Sequence, residues 1–506
     1  MANQLSQIQH VVQLMLENRS FDQMLGFLYS ANNNVSPLGQ PYEGLTGNES
    51  NPDDAGRPVT VFRIDNTHAH PYLMPGADPG EGFYNTNLQL FSMENPPPGT
   101  VPTNQGFVVN FESAIAYDQS QGYKDTIAGT QPSDIMGMYS PEMLPVMSAL
   151  AKGFAVCDCW FASAPTQTIP NRAFANAATS QGRLDNNVKV FTCPSIYGRL
   201  SDAGIDWAIY GYKRDPLTRL DFPDTQNATN QHFGHFRDFQ ARAAAGTLPA
   251  YTFLEPDFSA GGNSQHPNYN VAAGEQLMHD VYYTLRNGPG WNTTLLLITY
   301  DEHGGNFDHV TPPATAVAPD GTTGEFDNFD FSRFGVRIPA LLISPLIPAG
   351  TVFRPAAGTI DHTSVLKTIQ QRWSVPPLTA RDRAAPGLGD ALSLKQARTD
   401  DPLDGVSVPS SDTVYPDQQK PSELDTLYAT RVSQLPVPNE KGTFRHTPPD
   451  LSTSAAVADY IKSRVAAWKQ HRSHANSMVL YASPNTPRSV VSRKKSIPAK
   501  RVKRGK

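Results

Sequence analysis

The chain has 506 residues, 39% of them hydrophobic, which is ample for a large core in one big domain or two or three smaller ones. Only 17% are charged, with Pro (44) and Gly (37) plentiful, so long loops are expected, and three cysteines make no disulfide framework. Met1 to Gln9 lacks the basic and apolar regions of a signal peptide, and no run of about 18 apolar residues exists to cross a membrane, so the default compartment is the cytoplasm, with export by another route left open.

Residues 8–16 are apolar with interspersed Gln and His, read as a first strand, and end in Glu17-Asn18-Arg19-Ser20-Phe21-Asp22. Residues 29–102 are rich in Pro, Gly and Asn and read as long irregular structure. Residues 143–151 have helical spacing, and 154–161 is the next strand candidate, its Cys157-Asp158-Cys159 read as buried thiols. Residues 164–172 form a loop before an Ala-rich helix at 173–179. Thr168 then lies where a helix N-terminus favours an anion, and Arg172 could add a bidentate contact to phosphate or carboxylate. Residues 207–212 and 251–255 read as short strands, and 274–287 as an amphipathic helix.

Residues 295–300 are a buried strand. Asp301, Glu302 and His303 follow at once, then Gly304 and Gly305, which let the backbone turn sharply. Residues 338–345 read as another strand. Asp361-His362-Thr363-Ser364 opens a helix to about Trp373, 385–450 is loop-like, 452–471 is helical, and the chain beyond Asn485 reads as disordered.

Alternating strands and helices predict an α/β fold with a mostly parallel central sheet, helices on both faces and long loops. In such a sheet the C-terminal strand ends share one edge, where ligands bind. Three exits carry chemistry: Glu17/Asn18, Thr168 and Asp301/Glu302. Adjacent carboxylates at the end of a buried strand are costly without a partner, so Asp301 and Glu302 should face a cation. Three carboxylates, an amide oxygen and a hydroxyl suit Mg, Ca or Mn, with Zn also compatible, and a metal beside a hydroxyl makes it a nucleophile. His266, His303, His309 and His362 are candidates for phosphate contact or general acid. A Gly-x-Ser-x-Gly elbow, a Walker A sequence and Gly-x-Gly-x-x-Gly are all missing, which argues against an α/β-hydrolase and the common nucleotide folds.

Five segments stand in a telling order: Glu17 to Asp22, Thr168-Ile-Pro-Asn-Arg172, Ser264-Gln-His-Pro267, Thr299 to Gly305 with Phe307-Asp-His309, and Asp361-His-Thr-Ser-Val365. This order, over roughly residues 8 to 375, resembles the phosphoesterase family of bacterial and plant non-specific phospholipases C and a related bacterial acid phosphatase. The resemblance implies an alkaline-phosphatase-like α/β/α sandwich. It also implies a divalent metal on Glu17, Asn18, Asp301 and Glu302, with Thr168 as a nucleophile forming a phospho-threonine. His266 would act near the phosphate, as acid to the leaving group. Asn171, Arg172, His303 and a histidine near His232 or His235 would face the substrate. Where the family often has Asp-Pro-Gly-His, this chain has Asp78-Pro79-Gly80-Glu81, so Glu81 would repel a phosphate or read a cationic head group. Thr166 competes with Thr168, which better keeps the Thr-x-Pro-Asn-Arg spacing.

The resulting expectation is a catalytic domain at 1–450, a helical segment at 451–484 and a basic tail at 485–506. The activity expected is metal-dependent hydrolysis of a phosphoester, phospholipase C-like on a phospholipid head group. The alternatives are an acid phosphatase on soluble monoesters, or a non-catalytic metal- or membrane-binding relative, which would need an incomplete site. The tail carries nine basic and no acidic residues; removing those nine charges from the net −6 leaves −15 on the rest. It reads as a solvated tail or as an anchor to anionic lipid, with nucleic acid not expected as a partner.

Overall fold

A computed structural model describes residues 3–121, 126–187, 190–411, 421–437 and 451–481. The basic tail lies outside the described residues.

An eight-stranded sheet organises the chain. Its order is Thr351–Val352, Ala155–Val156, Ala340–Ile343, Thr294–Tyr300, His10–Leu16, Tyr251–Glu255, Trp207–Gly211 and Phe233–His235. Ala340–Ile343 runs antiparallel to both its neighbours, and every other pairing is parallel. The central Thr294–Tyr300 strand is buried along its whole length, which accounts for its apolar run. One face carries Gln13, which accepts from the Tyr251 hydroxyl; Tyr197 of helix Ile196–Asp202 stacks on that tyrosine. Helices Thr168–Ala177 and Thr363–Trp373 belong to this layer. On the other face Tyr300 reaches Gln265, which packs against Gly274 of helix Val271–Arg286, and Pro145–Gly153 and Phe236–Ala244 join that helix. The expected α/β architecture, mostly parallel with helices on both faces, is present.

Several local expectations change. The strand expected at 154–161 is only Ala155–Val156, and beyond it the chain makes isolated bridges, Trp160 with Ile360 and Phe161 with Arg337. The helix expected from 173 begins at Thr168. Pro170 is tolerated there because a first-turn N–H has no intrahelical partner to lose. The stretch 29–102 contains helix Phe83–Phe91 and short ribbons, and helix Phe107–Gln121 follows it. The loop expected at 385–450 holds helix Glu423–Ser433. This helix packs on Ser454–Tyr481, and both share an apolar cluster with Ile169, Ala173 and Ala177 of the Thr168 helix.

Candidate active site

Leu16 and Tyr300 are register partners on adjacent parallel strands, so the residues that follow them leave the sheet side by side. Asn18 adopts a left-handed backbone (φ 55°), tolerable for Asn, and donates its N–H to Asp301 Oδ1 at 3.0 Å. Its carbonyl accepts from Asn306 Nδ2 at 3.1 Å. Its side-chain Oδ1 accepts the Thr168 hydroxyl at 3.2 Å. One asparagine thus ties the first strand exit to the second and to the helix bearing Thr168. Gly304 makes that approach feasible, since a Cβ there would lie 2.2 Å from the Asn18 carbonyl oxygen, at a φ of 58°.

Asp301 is buried, with Oδ1 accepting the N–H of Asn18 and of Glu302, and Oδ2 accepting Arg172 Nε at 2.9 Å. Glu302 Oε2 accepts the Gly304 N–H at 2.7 Å, while Oε1 is buried with no hydrogen-bond partner. Burial and then the Asp301 charge push its carboxyl well above the usual range. Glu17 is pushed up to about 7, first by burial and then by Asp301 against the opposing pull of His266. These are buried oxygen donors, one of them an orphaned carboxylate oxygen, and their chemistry suits a hard divalent cation. Glu17, Glu302 and the Asn18 amide oxygen would be the more open donors to such a cation, because Asp301 already accepts three hydrogen bonds.

A cavity of about 770 Å³ opens at this edge, lined by Glu17, Asp78, Glu81, Gln167, Thr168 and His266, with Tyr117, Phe258, Tyr269 and Glu423 among its walls. Thr168 therefore lines the cavity, whereas Thr166 does not and donates to the Leu184 carbonyl at 2.6 Å. His266 Nδ1 donates to the Pro267 carbonyl at 3.0 Å, which leaves Nε2 for chemistry. Arg19 holds that loop through the carbonyls of Gln265 and His266. Burial pulls the His266 pKa down, but the charges of Asp78 and Glu17 outweigh it and raise it. Glu81 is buried on the cavity wall with Oε2 unpartnered, and burial, then Asp78 and Glu302, push its carboxyl well up. Ligand atoms of Asp78, Glu81 and His266 lie within 4.8 Å of one another.

Other candidates are placed elsewhere. Asn171 spends its amide on the backbone of Ala164, Thr166 and Gln167, bracing the loop before Thr168. Arg172 turns inward, with Nη2 on the Met15 and Leu16 carbonyls and Nε on Asp301, so it orients a carboxylate and does not line the cavity. His232 stacks on Trp207, the first residue of its strand, at the sheet edge opposite the site. His235 opens a helix beside Asp238 on the outermost strand. His303 is buried behind Glu302, donates from Nε2 to Gln89 Oε1 at 2.7 Å, and has its pKa pulled down to about 3 by burial, so it is a neutral support. His309 pairs with Asp22, beside Asp308 and Arg337, and fastens two loops together. Its group with Asp22 and Asp308 has metal-like spacing, but Arg337 and the protonated His309 already balance the two carboxylates. His362 Nε2 donates to the Asp301 carbonyl at 2.6 Å, setting that strand exit from below. Asn186 and Glu423, both at the site, were invisible to motif reading because neither stands at a strand exit.

The model of the phosphoesterase family matches residues 8–376. Relatives include the non-specific phospholipase C6 of Arabidopsis thaliana, 36% identical over 79% of this chain and 75% of that protein. Another is the phospholipase C A of Mycobacterium tuberculosis, 32% identical over 74% of each chain. Among solved structures, a protein in the alkaline phosphatase superfamily from Vibrio parahaemolyticus is 14% identical, over 65% of this chain and 82% of that one, with a TM-score of 0.31. The match along most of the chain and the identity to these relatives show that it belongs to the phosphoesterase family, as a phosphoric ester hydrolase.

Proposed function

We propose that the chain is a phospholipase C-type phosphodiesterase, cleaving a phospholipid between glycerol oxygen and phosphorus with Thr168 as nucleophile and a divalent cation on Glu17, Asn18, Asp301 and Glu302. The observation that carries the reading is Thr168, a residue of the cavity lining whose hydroxyl donates to Asn18 Oδ1 at 3.2 Å. The relatives' names supply the phospholipase C class. A bound cation would lower the hydroxyl's pKa and neutralise phosphoryl charge.

Thr168 Oγ1 attacks phosphorus, an Oγ–P bond forms and the P–O bond to glycerol breaks. The threonine proton leaves to cavity water, and His266 Nε2 gives a proton to the departing alkoxide. Water then attacks phosphorus as His266 takes its proton, the Oγ–P bond breaks, and a solvent proton restores Thr168. The raised pKa of His266 suits the acid role. Ile169 donates its N–H to Asn186 and Pro170 has none, so the helix N-terminus gives the phosphate less than its position suggests.

Asp78 sets negative charge on the cavity wall, and after burial that charge helps push the neighbouring Glu81 carboxyl up. Such a wall disfavours a dianionic monoester and tolerates a diester whose head group carries a positive charge. Purified protein, reloaded singly with Mg, Ca, Mn or Zn, is assayed on p-nitrophenylphosphorylcholine and p-nitrophenyl phosphate. Preference for the diester is expected, and preference for the monoester would replace this reading with an acid phosphatase.

A further inference from the structure

Both chain neighbours of Thr168 are held by one residue. Asn186 donates its backbone N–H to Gln167 Oε1 at 3.0 Å, and its Oδ1 accepts the Ile169 N–H at 2.9 Å. That N–H is one of the first-turn donors a helix leaves unsatisfied, and Gln167, at the N-cap position, makes no side-chain cap. Asn186 therefore caps the helix from outside, and does so beside the nucleophile.

The other end of the amide, Nδ2, donates to Glu423 Oε1 at 2.9 Å. A carboxylate only accepts, so Glu423 fixes which way the amide faces: nitrogen toward Glu423, oxygen toward Ile169. Without it the amide is free to flip and set its NH2 against the Ile169 N–H. Glu423 is the first residue of helix Glu423–Ser433, capped by Ser422 and beyond the residues matched by the family. Asp425 of that helix pairs with Arg214, and the Tyr428 hydroxyl reaches the Asp215 carbonyl, both just past the Trp207–Gly211 strand. The C-terminal helices thus set the place of Glu423 independently of the Thr168 loop.

We propose that Asn186 is a positioning residue for Thr168, aimed by Glu423, so that the C-terminal helix pair acts on the catalytic step through Glu423, Asn186 and Ile169. This rests on Thr168 being the nucleophile. Displacing a nucleophile by a fraction of an ångström costs rate more than binding, so kcat should move while KM does not.

The test uses the full chain and a diester without a charged head group, bis(p-nitrophenyl) phosphate. Asn186→Asp keeps an acceptor for Ile169 but sets a carboxylate against Glu423; kcat is expected to fall about tenfold with KM changed by less than about threefold. Adding Glu423→Gln supplies a donor in place of the second carboxylate and should return kcat to within about threefold of the wild type. Should Asn186→Asp fail to fold, Glu423→Ala against Glu423→Gln carries the same test, the first lowering kcat and the second sparing it. A folded Asn186→Asp with unchanged kcat, or a pair no better than the single change, overturns the proposal. Thr168→Ala is run alongside: if it stays active, the nucleophile reading itself fails, whereas an inactive Thr168→Ala with normal Asn186 variants sinks only the positioning role.

Discussion

Arg172 holds Asp301 from inside the sheet: Nε meets Oδ2 at 2.9 Å, and both side chains are buried. The same guanidinium reaches the Met15 and Leu16 carbonyls, so it also pins the end of the first strand. Removing one member of a buried pair leaves a charge unpaired, at a cost of about 3–5 kcal/mol. Arg172→Met should therefore melt well below the wild type, and Arg172→Lys should not rescue it, because an ammonium lacks the fork that serves three acceptors. Thermal melts of the three proteins check this; a Lys variant as stable as wild type would mean the fork geometry is unimportant.

His309 provides a pH signature. Burial opposes its positive charge, but Asp22, 2.6 Å from Nδ1, outweighs burial and holds its pKa up at about 9, above the ordinary 6.5. A folded value above the unfolded one means the stabilisation is complete below about pH 6.5 and disappears as pH rises through about 9. The loss is on the order of 3 kcal/mol. Denaturant unfolding at about pH 7 and about pH 10 should show the wild type losing more stability than His309→Gln. Identical losses in both proteins would remove His309 from the account.

Chelation should inactivate the enzyme and lower its melting temperature, since a ligand bound to the folded state stabilises it by mass action. Glu17→Gln should reduce bound metal and activity together, as it removes one negative charge from the cation's donors. Metal content by elemental analysis, set beside turnover, decides the matter. Full-rate hydrolysis by metal-free protein would exclude this part of the mechanism.

The tail at 485–506 has nine positive charges against an acidic body. A chain ending at Ser483 should hydrolyse soluble substrate normally but sediment less with anionic vesicles, with the difference shrinking as salt rises. Equal sedimentation at low salt would leave the tail without a membrane role.

Much of the site was legible because its chemistry sits at strand ends. Thr294–Tyr300 is a near-continuous apolar run of the kind that a buried parallel strand needs, and its exit shares one edge with that of His10–Leu16 whatever the loop details. What a motif cannot give is the direction in which a side chain turns. Asn171 and Arg172 occupy the second turn-forming stretch behind Thr168, yet the loop at Ala164 and the carboxylate of Asp301 claim them. The resemblance puts a histidine near His232 or His235 at the substrate, but the His232 ring covers Trp207. Helix Phe107–Gln121 had a readable signal in the helical spacing of Phe107, Phe111 and Ile115, all buried. The Asn186–Glu423 contact joins residues 237 positions apart, for which no spacing rule exists.

The proposed chemistry rests on the hydroxyl beside Asn18. Turnover of p-nitrophenylphosphorylcholine by Thr168→Ala is the most direct measurement, with circular dichroism and metal content confirming an intact protein. The change removes a small group and exposes no charge, so fold and metal should be retained while kcat falls about a thousandfold or more. Near-normal turnover by Thr168→Ala, with Thr166→Ala inactive, would contradict it.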